Sequence, residues 1–171
     1  LETPTSRWDN MAHNGNKMMP ESKQETQKVR VVGINHIAIE VDDLDDALEF
    51  YGKLFDFELR KRTDTQLFID LGDQFINVIK GRHQVPDVRR HFGLVVEDRE
   101  AVRALLKKNG IEEIPSRFLK FMDPWGNRVE IISYENIQFS KAPNVLRGMG
   151  LEHIKKNDNA IAELTERGMA P

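Results

Sequence analysis

The stretch Gly33-Ile34-Asn35-His36-Ile37-Ala38-Ile39-Glu40-Val41 decides the fold, because its histidine recurs at the same place in a second copy of the pattern. The first copy runs His36-Ile37-Ala38-Ile39-Glu40-Val41-Asp42-Asp43, and the second reads His91-Phe92-Gly93-Leu94-Val95-Val96-Glu97-Asp98, 55 residues later. In each copy a histidine opens an apolar strand, the strand runs into an acidic turn, and the turn starts a short amphipathic helix. One supersecondary unit is used twice.

Working outward, alternation from Val29 to Val41 predicts a strand whose two faces are used differently. Asp43 is placed to cap a helix, and Leu44, Ala47, Leu48, Tyr51, Leu54 and Phe55 follow at the spacing of an apolar stripe. Strands are predicted near 57–62, 66–71 and 74–80, with Gly72-Asp73 as a hairpin turn. The first module, 29–80, is therefore βαβββ. Residues 81–90, which include Pro86, read as a linker. The second module, 91–135, has a helix capped by Asp98 and ending in Lys107-Lys108-Asn109-Gly110, favourable chemistry at a helix C-terminus. Its strands are predicted at 111–115, 117–122 and 128–134, the last two joined by the turn Asp123-Pro124-Trp125-Gly126-Asn127. Residues 1–28 are a polar, aperiodic N-terminal arm in which Trp8 could serve as an anchor. Residues 136–171 form a C-terminal extension with a helix from about Asn157 to Arg167. The fold class expected is α+β, with one paired-module domain at 29–135.

Composition excludes several functions. A net charge of −3 and a pI near 6.0 argue against a nucleic-acid partner, which needs a basic face. Cysteine is absent, so there is neither a disulfide framework nor a thiolate metal site, and candidate ligands reduce to histidine, carboxylate and water. A cytoplasmic location fits that usage. No apolar run approaches the roughly 20 residues that span a bilayer, so no membrane partner is expected.

Alternation along the strands places His36 on one face with Ala38 and Glu40, and His91 on one with Gly93 and Val95. Glu130 lies 39 residues after His91, and Asn77 lies 41 after His36. Four repeat-related positions thus carry His, His, Asn and Glu. A carboxylate in the middle of Arg128-Val129-Glu130-Ile131-Ile132 is expensive to desolvate unless a cation pairs with it. Two imidazoles and one carboxylate make a three-ligand divalent metal site with open positions, as for non-haem iron(II) or catalytic zinc. The metal-free alternative gives each histidine a backbone partner and pairs Glu130 with Arg128 or a lysine. His13, His83 and His153 fall in the arm, linker and extension and read as ordinary surface residues.

The stretches Asn35-His36-Ile37-Ala38-Ile39, Asp43-Leu44-Asp45-Asp46-Ala47-Leu48-Glu49-Phe50-Tyr51, His91 with its strand, and Asp123-Pro124-Trp125-Gly126-Asn127-Arg128-Val129-Glu130 resemble the vicinal oxygen chelate superfamily. That group includes glyoxalase I, extradiol dioxygenases, fosfomycin-resistance enzymes and bleomycin-binding proteins. The resemblance implies two tandem βαβββ modules forming a half-open mixed β-barrel with helices outside, usually in a homodimer. It implies His36, His91 and Glu130 as metal ligands, with iron(II) first and zinc, manganese or nickel as alternatives. It further implies a small-molecule substrate that presents two neighbouring oxygens to the metal.

Departures from individual members narrow the choice. Asn77 stands where glyoxalase I enzymes carry an acidic fourth ligand, and an amide cannot act as a base. Ala38 stands where the fosfomycin enzymes carry threonine. The reading is a dioxygenase-like enzyme, with a glyoxalase-type lyase or isomerase second and a non-catalytic antibiotic- or metabolite-binding protein third. Lys120, ten residues before Glu130, and Tyr134 are the candidate catalytic groups, Asn77 the candidate substrate contact, and Phe68, Phe75, Phe118 and Trp125 a candidate aromatic wall.

Overall fold

A computed structural model describes residues 29–169. The arm at 1–28, with Trp8 and His13, lies outside the described residues. Two mixed sheets carry the chain. The first module contributes β1 (His36–Val41), α1 (Leu44–Gly52), β2 (Leu59–Arg62), β3 (Gln66–Asp70) and β4 (Phe75–Lys80). These strands are ordered β1-β4-β3-β2, with β1 and β4 parallel. The second contributes β5 (Phe92–Val96), α2 (Arg99–Lys108), β6 (Leu119–Met122) and β7 (Arg128–Ser133), ordered β5-β7-β6 with β5 and β7 parallel. The α+β class and the doubled, helix-backed module are as the sequence predicts. No strand of one sheet pairs with the other among the described residues, so the two sheets stand separate within one chain.

Each helix starts where its aspartate offers an acceptor to orphan amides. The Asp43 carboxylate accepts from the Asp45 amide at 2.8 Å, and Asp98 accepts from the Ala101 amide at 3.0 Å. Buried Leu44, Ala47 and Tyr51 turn α1 onto the first sheet, and Val102 and Leu106 turn α2 onto the second. The two cores exchange one residue each. Trp125 of the second module sits in the first cluster, and Leu54 of the first module sits in the second. Phe50 joins them, its ring 6.0 Å from Trp125 and 6.2 Å from Phe121.

Two strand predictions require correction. The first strand begins at His36 rather than Val29, because β4 starts opposite it at Phe75 and no neighbouring strand extends the ladder upstream. The strand predicted at 111–115 is a single bridge from Glu113 to Phe121. Pro115 has no N–H to continue it.

The linker is tied down at both ends. Glu40 accepts from the His83 amide at 2.6 Å and the Gln84 amide at 3.1 Å, and those donors hold its carboxyl below the usual range. Gln84 Nε2 donates to Asn127 Oδ1 at 2.8 Å, while Asn127 Nδ2 donates back to the Glu40 carbonyl at 3.0 Å. Gly126 has φ of +88°, and a Cβ there would stand 2.7 Å from Pro86 Cα, so both conformation and space require glycine.

After β7 the chain forms a 3-10 turn (Tyr134–Asn136), then α3 (Pro143–Gly148) and α4 (Asp158–Glu166). The sequence predicts the second of these helices but not the first. Val145 and Met149 pack on Gly72 in the β3–β4 turn, and Lys141 pairs with Asp73. Asn157 caps α4 and donates its own amide to the Glu135 carbonyl at 2.9 Å. No helix among the described residues is long and apolar enough to cross a membrane.

Candidate metal centre

The repeat can be read in register. Ala38, Asn77 and Phe68 form one cross-strand row in the first sheet, and Gly93, Glu130 and Lys120 form the matching row in the second. His36 pairs with Phe75; His91 lies one residue before β5, and continuing that register sets it opposite Arg128. All these residues lie on the sheet face turned away from the helices, since Ile39, Val78 and Leu67, and Val129, Ile131 and Phe121, fill the opposite faces.

In the second module three of the predicted residues converge. His91 Nε2 lies 3.2 Å from Glu130 Oε2, and Lys120 Nζ lies 2.8 Å from the same oxygen. Glu130 is 8% exposed, so its charge is balanced by these neighbours rather than by bulk water. His91 Nδ1 is 2.9 Å from the Arg89 carbonyl. A carbonyl can only accept, so Nδ1 carries a hydrogen and Nε2 is the ring atom turned towards the Glu130 carboxylate. In the structure the Lys120 ammonium supplies the positive charge at that oxygen, and a metal ion would supply it in the same place. Ligand atoms each about 2.1 Å from one tetrahedral or octahedral metal stand about 3.0–3.4 Å apart, and the separation of these two atoms matches that span. The donor set fits a divalent ion.

His36 belongs to a different group. Its Nδ1 is 3.0 Å from Asn35 Oδ1, which likewise turns Nε2 outward. Its ring stacks on Phe75 with centroids 4.7 Å apart, and Phe68 lies 5.6 Å beyond. Among the described residues no three His, Cys, Asp or Glu side chains of one chain come together as a metal-binding group. The structure thus joins His91, Glu130 and Lys120 and leaves His36 with Asn35 and Phe75. Asn77 presents a buried Oδ1 that no donor reaches. That is an unmet acceptor on the His36 face.

The remaining predicted residues divide. Phe75 stacks on His36 with Phe68 behind it, but Trp125 is core and Phe118 is 45% exposed. Tyr134 packs in the extension, with Lys156 Nζ 3.5 Å from its ring centroid and Phe139 against its edge. Lys156 also donates to the Tyr134 carbonyl at 2.6 Å and to that of Phe139, and burial pulls it down to about 8. A cleft of about 290 Å³ lined by Glu97, Tyr134 and His153 opens at the C-terminal ends of β5 and β7. That is the other end of the strand from His91, roughly 20 Å away at strand rise.

The sequence gives no sign of two further features, one on this face and one on the helix-covered side. Arg128 shares this face with Glu130, two residues on, and its buried Nε has no acceptor. Asp123 is a buried carboxylate that accepts from the Tyr51 hydroxyl at 2.8 Å and from Asn127 Nδ2 at 2.7 Å. Burial raises Asp123, against those hydrogen bonds, and raises the Tyr51 hydroxyl well above its ordinary value.

Two helix-backed mixed sheets, each with a parallel edge strand that has a histidine at or just before its start, define a class of paired-module proteins. The chain matches the family model described as the Glyoxalase/Bleomycin resistance protein/Dioxygenase superfamily over residues 33–131, more than half its length, and belongs to that superfamily. Among solved structures, a glyoxalase family protein from Bacillus anthracis is 22% identical, with a TM-score of 0.55 over 63% of this chain and 98% of that one. The fosfomycin resistance protein FosX from Listeria monocytogenes, complexed with Mn(II) and sulfate, is 18% identical, with a TM-score of 0.54 over 70% and 99%. Lactoylglutathione lyase from Agrobacterium tumefaciens is 20% identical, with a TM-score of 0.51 over 61% and 96%. These likenesses show the fold.

Proposed function

We propose that the protein is a metal-dependent enzyme that chelates two neighbouring oxygens of a small molecule, with His36, His91 and Glu130 as ligands and a homodimer completing each site. The observation that carries the reading is the meeting of the exposed His91 Nε2 with the buried Glu130 Oε2 at ligand spacing. His36, held on the other module with its Nε2 outward, supplies the third ligand from a second chain, so each site combines module one of one copy with module two of the other. Edge strands β1, which starts with His36, and β5, which His91 immediately precedes, are the sheet margins such a dimer would bring together.

The bound ion supplies Lewis acidity, stabilising negative charge on the chelated oxygens. The chain's own groups do the rest. Asn77 Oδ1 accepts a hydrogen bond from a substrate hydroxyl, and Phe68 and Phe75 pack against an apolar or aromatic portion. Because Asn77 offers no carboxylate to shuttle a proton, cleavage of a catechol-like ring with dioxygen is favoured over glyoxalase-type isomerisation.

His36→Ala and Glu130→Ala should each lose metal on purification, measured by elemental analysis. Mixed one to one and reassociated, they should regain about a quarter of the wild-type metal sites, since half the dimers are hybrid and each hybrid has one intact site. No recovery on mixing would sink the shared site; full metal retention in either single variant would sink the ligand assignment. Oxygen uptake with a catechol panel then separates dioxygenase chemistry from a binding protein, which would take up ligand stoichiometrically without product.

A further inference from the structure

We propose that Lys120 holds the metal's place on Glu130, and that metal binding releases it to anchor an anionic group on the substrate. This rests on the reading of Glu130 as a ligand. The substrate class it implies is a vicinal-oxygen compound carrying a further carboxylate, phosphate or phosphonate.

Lys120 sits directly opposite Glu130 in the antiparallel β6–β7 ladder, so their side chains rise side by side from one face. Its Nζ lies 2.8 Å from Glu130 Oε2, the same oxygen that His91 Nε2 approaches at 3.2 Å. Both side chains of the pair are nearly enclosed, at 13% and 10% exposure. A divalent ion held by His91 and Glu130 would occupy the space that the ammonium neutralises, and a second positive charge at that range would be repelled. The lysine stem is long enough to swing aside but not to reach bulk water without leaving the face.

Once displaced, the ammonium has lost its carboxylate; among the described residues Glu130 is the one it pairs with. A desolvated cation without an acceptor is costly, and an anionic ligand group removes that cost. Arg128 adds a second donor to the same face. It stands two residues before Glu130 on β7, and its Nε hydrogen is buried with no acceptor. Two cationic donors beside one metal would discriminate for a substrate that brings its own negative charge, and against a neutral diol of the same shape.

Metal and oxyanion binding should therefore be coupled through Lys120. The test uses Mn(II), followed by the spin-resonance signal of the unbound ion, with and without sulfate as the anion probe. In the wild type, sulfate should tighten Mn(II) binding several-fold, and Mn(II) should tighten sulfate binding by the same factor. Lys120→Met should bind Mn(II) about tenfold more tightly than the wild type, with the sulfate effect gone. Lys120→Gln provides the same reading if the methionine variant fails to fold, and Lys120→Arg, which keeps the charge, should retain the sulfate effect. Equal or weaker Mn(II) binding in the Met and Gln variants overturns the proposal. Glu130→Gln separates the two levels: if it binds Mn(II) as the wild type does, the ligand assignment itself fails. If it loses Mn(II) while the lysine variants leave the affinity unchanged, the role of Lys120 alone fails.

Discussion

The two modules share a scaffold and differ on the face that matters. Position for position, Glu130 opposite Lys120 in the second answers Asn77 opposite Phe68 in the first. His91 faces a carboxylate, whereas His36 stacks on an aromatic ring. One face is charged and internally balanced; the other is neutral, with an acceptor left unmet. The helices differ too. Tyr51 of α1 and Leu106 of α2 stand at equivalent repeat positions, but only the tyrosine reaches across to a buried partner, Asp123. Duplication leaves the backbone alone and lets the faces specialise, because a sheet backed by a helix tolerates change on the side the helix does not cover.

The comparison can be broken by transplanting the pair. Asn77→Glu alone should destabilise the protein by about 3 kcal/mol, since it places a half-buried carboxylate opposite Phe68 with no cation. Adding Phe68→Lys should recover most of that loss in urea unfolding. A single variant as stable as the wild type would show that the two faces are interchangeable. Next in size is Tyr51→Phe, which leaves a buried Asp123 oxygen short of a donor and should cost about 1–3 kcal/mol by thermal or urea unfolding. The corresponding change at Leu106, to methionine, should cost less than about 1.5 kcal/mol.

The smallest effect concerns the exit of the second module. Lys156 sits at about 8 in the folded protein against 10.5 for an ordinary lysine. Between those values the unfolded chain binds more protons than the folded one, so this group makes stability rise with pH across that window. Lys156→Met should remove that slope, seen as the wild-type minus variant difference in melting temperature between pH 8 and 10. An unchanged difference would place the lysine in solvent.

Much of this was legible because it repeats. Both aspartate caps and the Asp123–Asn127 turn follow from local pattern, and each appears where the pattern sets it. The start of β1 was not legible, since alternation from Val29 continues past the point where β4 provides a partner. Helix α3 was missed because six residues give too short a stripe to register. At the site, mid-strand Glu130 signals a buried charge in need of a counterion. The structure gives it Lys120 and gives His91 a carbonyl, two elements of the metal-free alternative, yet it also aims the histidine nitrogen at the carboxylate. Orphaned Asn77 and Arg128 were beyond sequence reading, because an unmet hydrogen bond depends on what the fold leaves out.

The connector between the modules, with Pro86 seated on Gly126 and Gln84 bridged to Asn127, has a practical consequence for anyone fusing a reporter into this chain. Its composition advertises a loop that accepts cargo, but every added residue there would pull apart the amides that Glu40 holds. The more permissive position is the β2–β3 turn at Asp64, where Thr63 bonds only within the loop and to Gln66 and the one tie to another strand is the Lys80 amide donating to the Thr65 carbonyl at 2.9 Å.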